Sequence, residues 1–103
     1  MAFIYKIIND INDKVYVGET AIGIEHRWLK HIQDLYKRNF KLQLAMRKYG
    51  IEHFQIKQIE ECDFANRFER EKFWIAYYDS YYNGYNSTLG GEGATKYNYD
   101  EVY

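Results

Sequence analysis

The chain of 103 residues has no proline, one cysteine, no long apolar run and almost no net charge, and each lack excludes something. No proline-rich linker is present, and no internal repeat or low-complexity tract stands in its place. Cys62 alone cannot build an intrachain disulfide framework, and with His26, His31 and His53 it forms no zinc-ligand spacing. A reducing, cytosolic setting without structural zinc is therefore expected. No stretch approaches the ~20 apolar residues that span a bilayer, and Met1 leads straight into a mixed segment without a signal-peptide pattern. These absences predict a soluble intracellular protein with no membrane partner. The net charge of −1 argues, as a sum, against a polyanionic partner.

What is present changes that last inference. The composition, 47% hydrophobic, 19% aromatic and 28% charged, is that of one folded domain rather than a disordered segment. A chain of this length buries about 65% of its unfolded surface, enough for a core without staples. Charge is unevenly placed: Arg27, Lys30, Lys37, Arg38, Lys41, Arg47 and Lys48 face only Asp34 in one short stretch, and the rest of the chain is acidic. A basic face of this kind fits a nucleic-acid backbone. It fits equally well a pair of helices with solvated lysines.

Residues 3 to 8 and 14 to 19 are rich in β-branched and aromatic side chains and flank the polar run Asn9-Asp10-Ile11-Asn12-Asp13, so they predict an antiparallel hairpin. With a turn near residues 10 and 11, Tyr5 lies opposite Tyr16 or Val17. Direct opposition puts both tyrosines on one face, and a slip of one residue separates them. Ile24, Trp28, Ile32 and Leu35 predict an amphipathic helix over about 23–36 that carries Arg27 and His31 on one side. Leu42, Ala45, Met46 and Tyr49 predict a second helix ended by Gly50, and residues 54–59 a third strand. Asp63 is the expected N-cap of a last helix over roughly 64–79, with Phe64, Phe68, Glu71, Ile75 and Tyr78 inward. The glycine-rich run from Ser80 to Gly93 reads as turns, and 94–103 as a short polar tail.

Glu71 breaks the pattern, because it falls near the centre of an apolar stripe. A carboxylate there must be paired, neutralised, bound to a cation or set at the floor of a wet cleft. A structural ion pair with Arg27 and a functional carboxylate explain it equally well. Tyr5, Tyr16, Arg27, His31 and Asn86 each have an ordinary reading too: packing for the tyrosines, a solvated charge, a satisfied histidine, an asparagine bonding its own turn.

Taken in order, however, the residues resemble the GIY-YIG nucleases. The two signatures are met by Phe3-Ile4-Tyr5 and Tyr16-Val17-Gly18. The match continues through Arg27-Trp28-Leu29-Lys30-His31, Lys41-Leu42-Gln43, Lys48-Tyr49-Gly50, Glu69-Arg70-Glu71-Lys72-Phe73-Trp74-Ile75 and Asn83-Gly84-Tyr85-Asn86. The resemblance covers about residues 3 to 93 and is nearest to the catalytic domains of phage and intron homing endonucleases, to which Thr88-Leu89-Gly90-Gly91-Glu92-Gly93 also points. Phe3 and Val17 depart from the first glycine and second isoleucine of the signatures, and Asn39-Phe40 stand where some relatives carry a histidine.

The resemblance implies a small α+β fold, a three-stranded, mostly antiparallel sheet flanked by helices in the order ββααβα. It implies a catalytic domain over 1–93 that hydrolyses DNA phosphodiester bonds as a divalent-metal-dependent endonuclease, in the cytoplasm of a bacterial or phage-infected cell. Glu71 would bind one Mg2+, with Mn2+ able to substitute, and Arg27 would contact the scissile phosphate. Tyr5 would activate or position water, Tyr16 and His31 would orient or assist, and Asn86 would support the site. A single carboxylate suffices for a metal completed by water and phosphate. A phenol of ordinary pKa is only about one part in a thousand ionised at neutral pH, so Tyr5 needs Arg27, the metal or neutral His31 to lower its pKa or carry its proton onward. DNA contacts are expected from Lys30, Lys37, Arg38, Lys41, Arg47 and Lys48. Two readings of targeting stay open: a stand-alone catalytic domain with weak sequence specificity, or one directed by a separate domain, a partner protein or self-association. The rival reading is a noncatalytic nucleic-acid-binding or interaction module on the same fold.

Overall fold

A computed structural model describes residues 1–90; the expected tail at 94–103, and Gly91, Glu92 and Gly93 before it, lie outside the described residues. Strands β1 (Ala2–Asn9) and β2 (Val15–Thr20) form the hairpin, helices α1 (Ile24–Gln33) and α2 (Lys41–Tyr49) follow, and β3 (Phe54–Cys62) and α3 (Arg67–Tyr78) complete the order ββααβα. The sheet order is β2-β1-β3 and both pairings are antiparallel. The expected α+β architecture is the one observed.

The central strand explains the layering. Apolar residues on both parities of β1 let it bury both faces. Tyr5 and Ile7 pack with Leu35, Leu42, Ala45, Met46 and Phe54, against which Ile24 and Trp28 of α1 lean. Ala2 and Ile4 pack on the opposite face with Val15, Val17, Cys62 and Ile75 of α3. Helices α1 and α2 thus cover one face and α3 the other.

Several local expectations change. Tyr5 pairs with Gly18 and Ile7 with Tyr16, a register two residues away from direct opposition of the tyrosines. A two-residue shift preserves facing, so Tyr5 and Tyr16 still share one side as diagonal neighbours. Helix α1 ends at Gln33 with Asp34 as C-cap, and buried Leu35 sits in the following turn, not on the helix. Strand β3 runs on to Cys62, with an irregularity opposite Ile4 and Tyr5. Asp63 heads a 3-10 turn, Phe64–Asn66, without a side-chain capping bond, and α3 begins only at Arg67. Phe64, expected inward, is 50% exposed because it lies on that turn and off the helical stripe.

The segment after α3 closes the outer edge of β2. Tyr85 N–H donates to the Val15 carbonyl at 2.9 Å. The Asn86 side chain then behaves as a strand residue, accepting from Val17 N–H and donating to the Val17 carbonyl, both at 2.8 Å. Ser80 donates to the same Asn86 oxygen at 2.6 Å. Gly84 permits this approach, since a Cβ there would stand 2.5 Å from the Val15 carbonyl oxygen.

Candidate active site

A cleft of about 440 Å³ opens between α1 and the start of α3, with β2 beneath it. One wall carries His26, Arg27, Lys30, His31 and Asp34 with Arg38 and Gln43; the other carries Arg67, Phe68 and Glu71; Tyr16 and Glu19 come from β2. The four-residue spacing of Arg27 and His31 places both on the cleft side of α1. Glu71 is 4% exposed, so the inward carboxylate read from periodicity lies at the wall of a wet cleft.

Tyr5 is fully buried beside this cleft. Its hydroxyl and His31 Nε2 are 2.9 Å apart. The rings of Tyr16 and His31 meet edge to face at 5.2 Å between centroids, and Tyr5 and Tyr16 lie 6.2 Å apart. This cluster depends on Gly18, the last residue of the second signature. A Cβ there would fall 2.4 Å from the Tyr5 hydroxyl and from the ring carbon bearing it, well inside van der Waals contact. Gly18 is thus the floor on which the Tyr5 ring lies.

Burial sets the electrostatics. It pushes the Tyr5 phenol up to about 12; the charge of Arg27 and its hydrogen bond oppose the rise, while Glu71 and Glu19 add to it. Arg27 thus lowers this pKa in the expected direction, and desolvation of the fully enclosed phenol outweighs that lowering. Burial likewise takes His31 down to about 3, assisted by the charges of Arg27 and Lys30. His31 is neutral at pH 7. In its Nδ1–H tautomer, Nε2 accepts the hydrogen bond of the Tyr5 hydroxyl and leaves the phenol oxygen lone pairs for another donor.

The basic stretch divides. Arg27, Lys30 and Arg38 line the cleft, with Lys30 held 3.5 Å from Asp34. Lys37, Lys41, Arg47 and Lys48 are not among its lining residues. Lys41 bonds the Tyr81 carbonyl at 2.9 Å, Arg47 bonds Asn39 at 2.8 Å, and Lys48 lies over the Tyr49 ring. Asn86 acts from behind, through the β2 edge. Sequence reasoning assigned no role to Gly18, Glu19, Gln43 or Arg67. Arg67 was signalled by standing one turn before Glu71; Glu19 follows the second signature directly.

The donor set bears on a metal. Among the described residues no group of three or more His, Cys, Asp or Glu side chains could hold an ion. Glu71 alone, a nearly buried carboxylate on the cleft wall, fits a hard divalent cation that takes its remaining ligands from water and substrate oxygen. No described helix is long and apolar enough to cross a membrane.

The sequence and the fold are both shared with known proteins. The chain is 42% identical over 88 residues to an intron-associated endonuclease 1 of Enterobacteria phage T4, covering 81% of this chain and 35% of that protein. It is 32% identical over 92 residues to an uncharacterised protein, 019R, of Invertebrate iridescent virus 6, covering 88% of this chain and 32% of that one. The chain thus spans about a third of the length of these relatives. The solved catalytic domain of the homing endonuclease I-TevI superposes with a TM-score of 0.76 at 38% identity, over 85% of this chain and 99% of that one. The sequence profile of the GIY-YIG catalytic domain matches residues 1–86, and the chain belongs to that family.

Proposed function

We propose that this domain is a divalent-metal-dependent DNA endonuclease that hydrolyses phosphodiester bonds. The observation that carries the reading is the 2.9 Å Tyr5–His31 contact beside a cleft whose walls bear Arg27 on one side and Glu71 on the other. Mg2+ is the favoured ion and Mn2+ a substitute, held by Glu71; when bound, it supplies Lewis-acid stabilisation of the charge on the phosphate oxygens.

The chain's own residues do the rest. Arg27 offers a planar fork to the scissile phosphate and stabilises charge as phosphorus is attacked. A Tyr5 phenol pushed up to about 12 is not a preformed base. An imidazole held down to about 3 by burial and by the charges of Arg27 and Lys30 takes a proton only once a phosphate anion in the cleft offsets those charges, so the transfer through His31 is concerted with attack. The attacking water oxygen bonds to phosphorus and passes its proton to the Tyr5 oxygen while the Tyr5 proton moves to His31 Nε2. The opposite P–O bond breaks, the leaving oxygen takes a proton from solvent, His31 returns its proton to solvent, and no free tyrosinate forms. Tyr16 holds the His31 ring edge-on, and Asn86 fixes β2 beneath both.

A cleft with few cations grips a short length of backbone, so we assign target choice to a separate domain or a partner protein. Such a substrate would place the protein in the cytoplasm of a bacterial or phage-infected cell. The test is nicking of supercoiled plasmid at low salt with Mg2+ or Mn2+ against EDTA, beside Glu71→Ala and Arg27→Ala. Metal-dependent nicking lost in both variants is expected. Binding without nicking by the folded wild-type protein would replace this reading with the noncatalytic module.

A further inference from the structure

Helix α3 carries two arginines in contrasting settings. Arg70 Nε bonds both oxygens of Glu60 at 3.0 and 2.9 Å, and Trp74 adds a bond to the same carboxylate at 2.7 Å. That is a closed structural pair tying α3 to β3. Arg67 Nε stands 3.6 Å from Glu19, close enough for Coulomb attraction and too far for a hydrogen bond.

The Arg67 guanidinium is nevertheless held in place. Its carbon lies 3.5 Å from the centroid of the Phe64 ring and 4.2 Å from that of Phe68. Nη1 donates to the Phe64 carbonyl at 2.7 Å. Arg67 and Glu19 both line the cleft, and Arg67 is the sole cation that α3 contributes there among the described residues. Arg27, Lys30 and Arg38 all stand on the other side. A planar fork with several N–H groups, fixed on two aromatic rings and loosely paired, is suited to a phosphate oxygen.

We infer that Arg67 is a second DNA-phosphate anchor, on the wall opposite the basic stretch, and that Glu19 is its counter-ion in the free protein, displaced by the phosphate when DNA enters. The inference rests on the cleft being the nuclease site and names a contact that fixes the strand from the α3 side. Glu19 then sets the affinity: it competes with the backbone for Arg67 and keeps the empty cleft from gripping any polyanion.

The test is equilibrium binding of a fluorescent duplex in EDTA across a salt series, so that it reads binding apart from cleavage. Arg67→Met keeps an unbranched stem on Phe64 and Phe68, and a thermal melt checks that it folds. The expected result is a log–log salt slope shallower by about 1, with affinity about tenfold weaker at low salt. Glu19→Gln should tighten binding about two- to fivefold, the range of one partly exposed pair. In the Arg67→Met background that gain should shrink, because the part of it that comes from releasing Arg67 is lost while direct repulsion between the carboxylate and the backbone remains.

An unchanged slope in a folded Arg67→Met, or an equal gain from Glu19→Gln in both backgrounds, overturns the inference while nicking by the wild-type protein keeps the nuclease reading intact. Failure of the wild-type protein both to bind and to nick overturns the two together.

Discussion

A buried phenol and a buried imidazole 2.9 Å apart make the site sensitive to single atoms. Under the proposed mechanism Tyr5→Phe removes the hydroxyl that passes a proton from water to His31, and cleavage at saturating Mg2+ should fall by at least about a hundredfold, with an unchanged melting temperature as the control. Near-normal cleavage would remove Tyr5 from the chemistry. Gly18→Ala should act on the same group by volume: its Cβ would collide with the Tyr5 ring. A loss of about 1–3 kcal/mol in urea unfolding is expected, with activity falling alongside. The pKa directions also fix how stability varies with pH. His31 drops from an ordinary 6.5 to about 3, so the unfolded chain binds the extra proton; stability is full above pH 6.5 and declines as pH falls towards 3. Tyr5 rises from 10 to about 12, so stability is full below pH 10 and declines between 10 and 12. Urea midpoints measured across pH should show both limbs, and His31→Asn should flatten the acid one.

Among the elements, β2 carries the greatest consequence. It holds Tyr16, Gly18 and Glu19 within a few residues, yet it is an edge strand, and an unpaired edge is a poor base from which to position side chains at a cleft. The Tyr85–Asn86 segment removes that weakness by bonding Val15 and Val17 as a further strand would. Asn86→Ala strips both Val17 backbone groups of their partners inside the fold. It should cost about 2–4 kcal/mol in urea unfolding while leaving the metal dependence of the residual activity unaltered. A catalytic contribution from Asn86 itself would show instead as lost activity at undiminished stability. The helix α3 is legible from periodicity as far as Glu71 and Ile75. Its start is not, because the 3-10 turn at Phe64–Asn66 changes the rotation per residue ahead of it, which is why Phe64 turns outward.

For the molecule as a whole, the distribution of cations governs how it meets DNA. Seven basic residues between Arg27 and Lys48 would give a log–log salt slope of about −6 if all touched phosphate. Only Arg27, Lys30 and Arg38 of these line the cleft, with Arg67 opposite them, and the expected slope is about −3 to −4. Fluorescence anisotropy of a short duplex across a salt series separates the two. The lower value would support the proposed short grip on the backbone.

The elements, their order and the inward carboxylate were readable from the residues because each leaves a local record: alternation for strands, a 3.6-residue rhythm for helices, one charge out of place in an apolar stripe. The ordered signature motifs carried the family and with it the expectation of catalysis. The three-dimensional fold alone decided what depends on distance between remote segments. Register two residues from direct opposition set Tyr5 over Gly18 rather than Tyr16. Burial, which no single stretch encodes, raised the phenol and lowered the imidazole instead of priming the tyrosine. Crossing of β2 with α3 paired Glu19 and Arg67, residues 48 apart in the chain whose meeting no local pattern records.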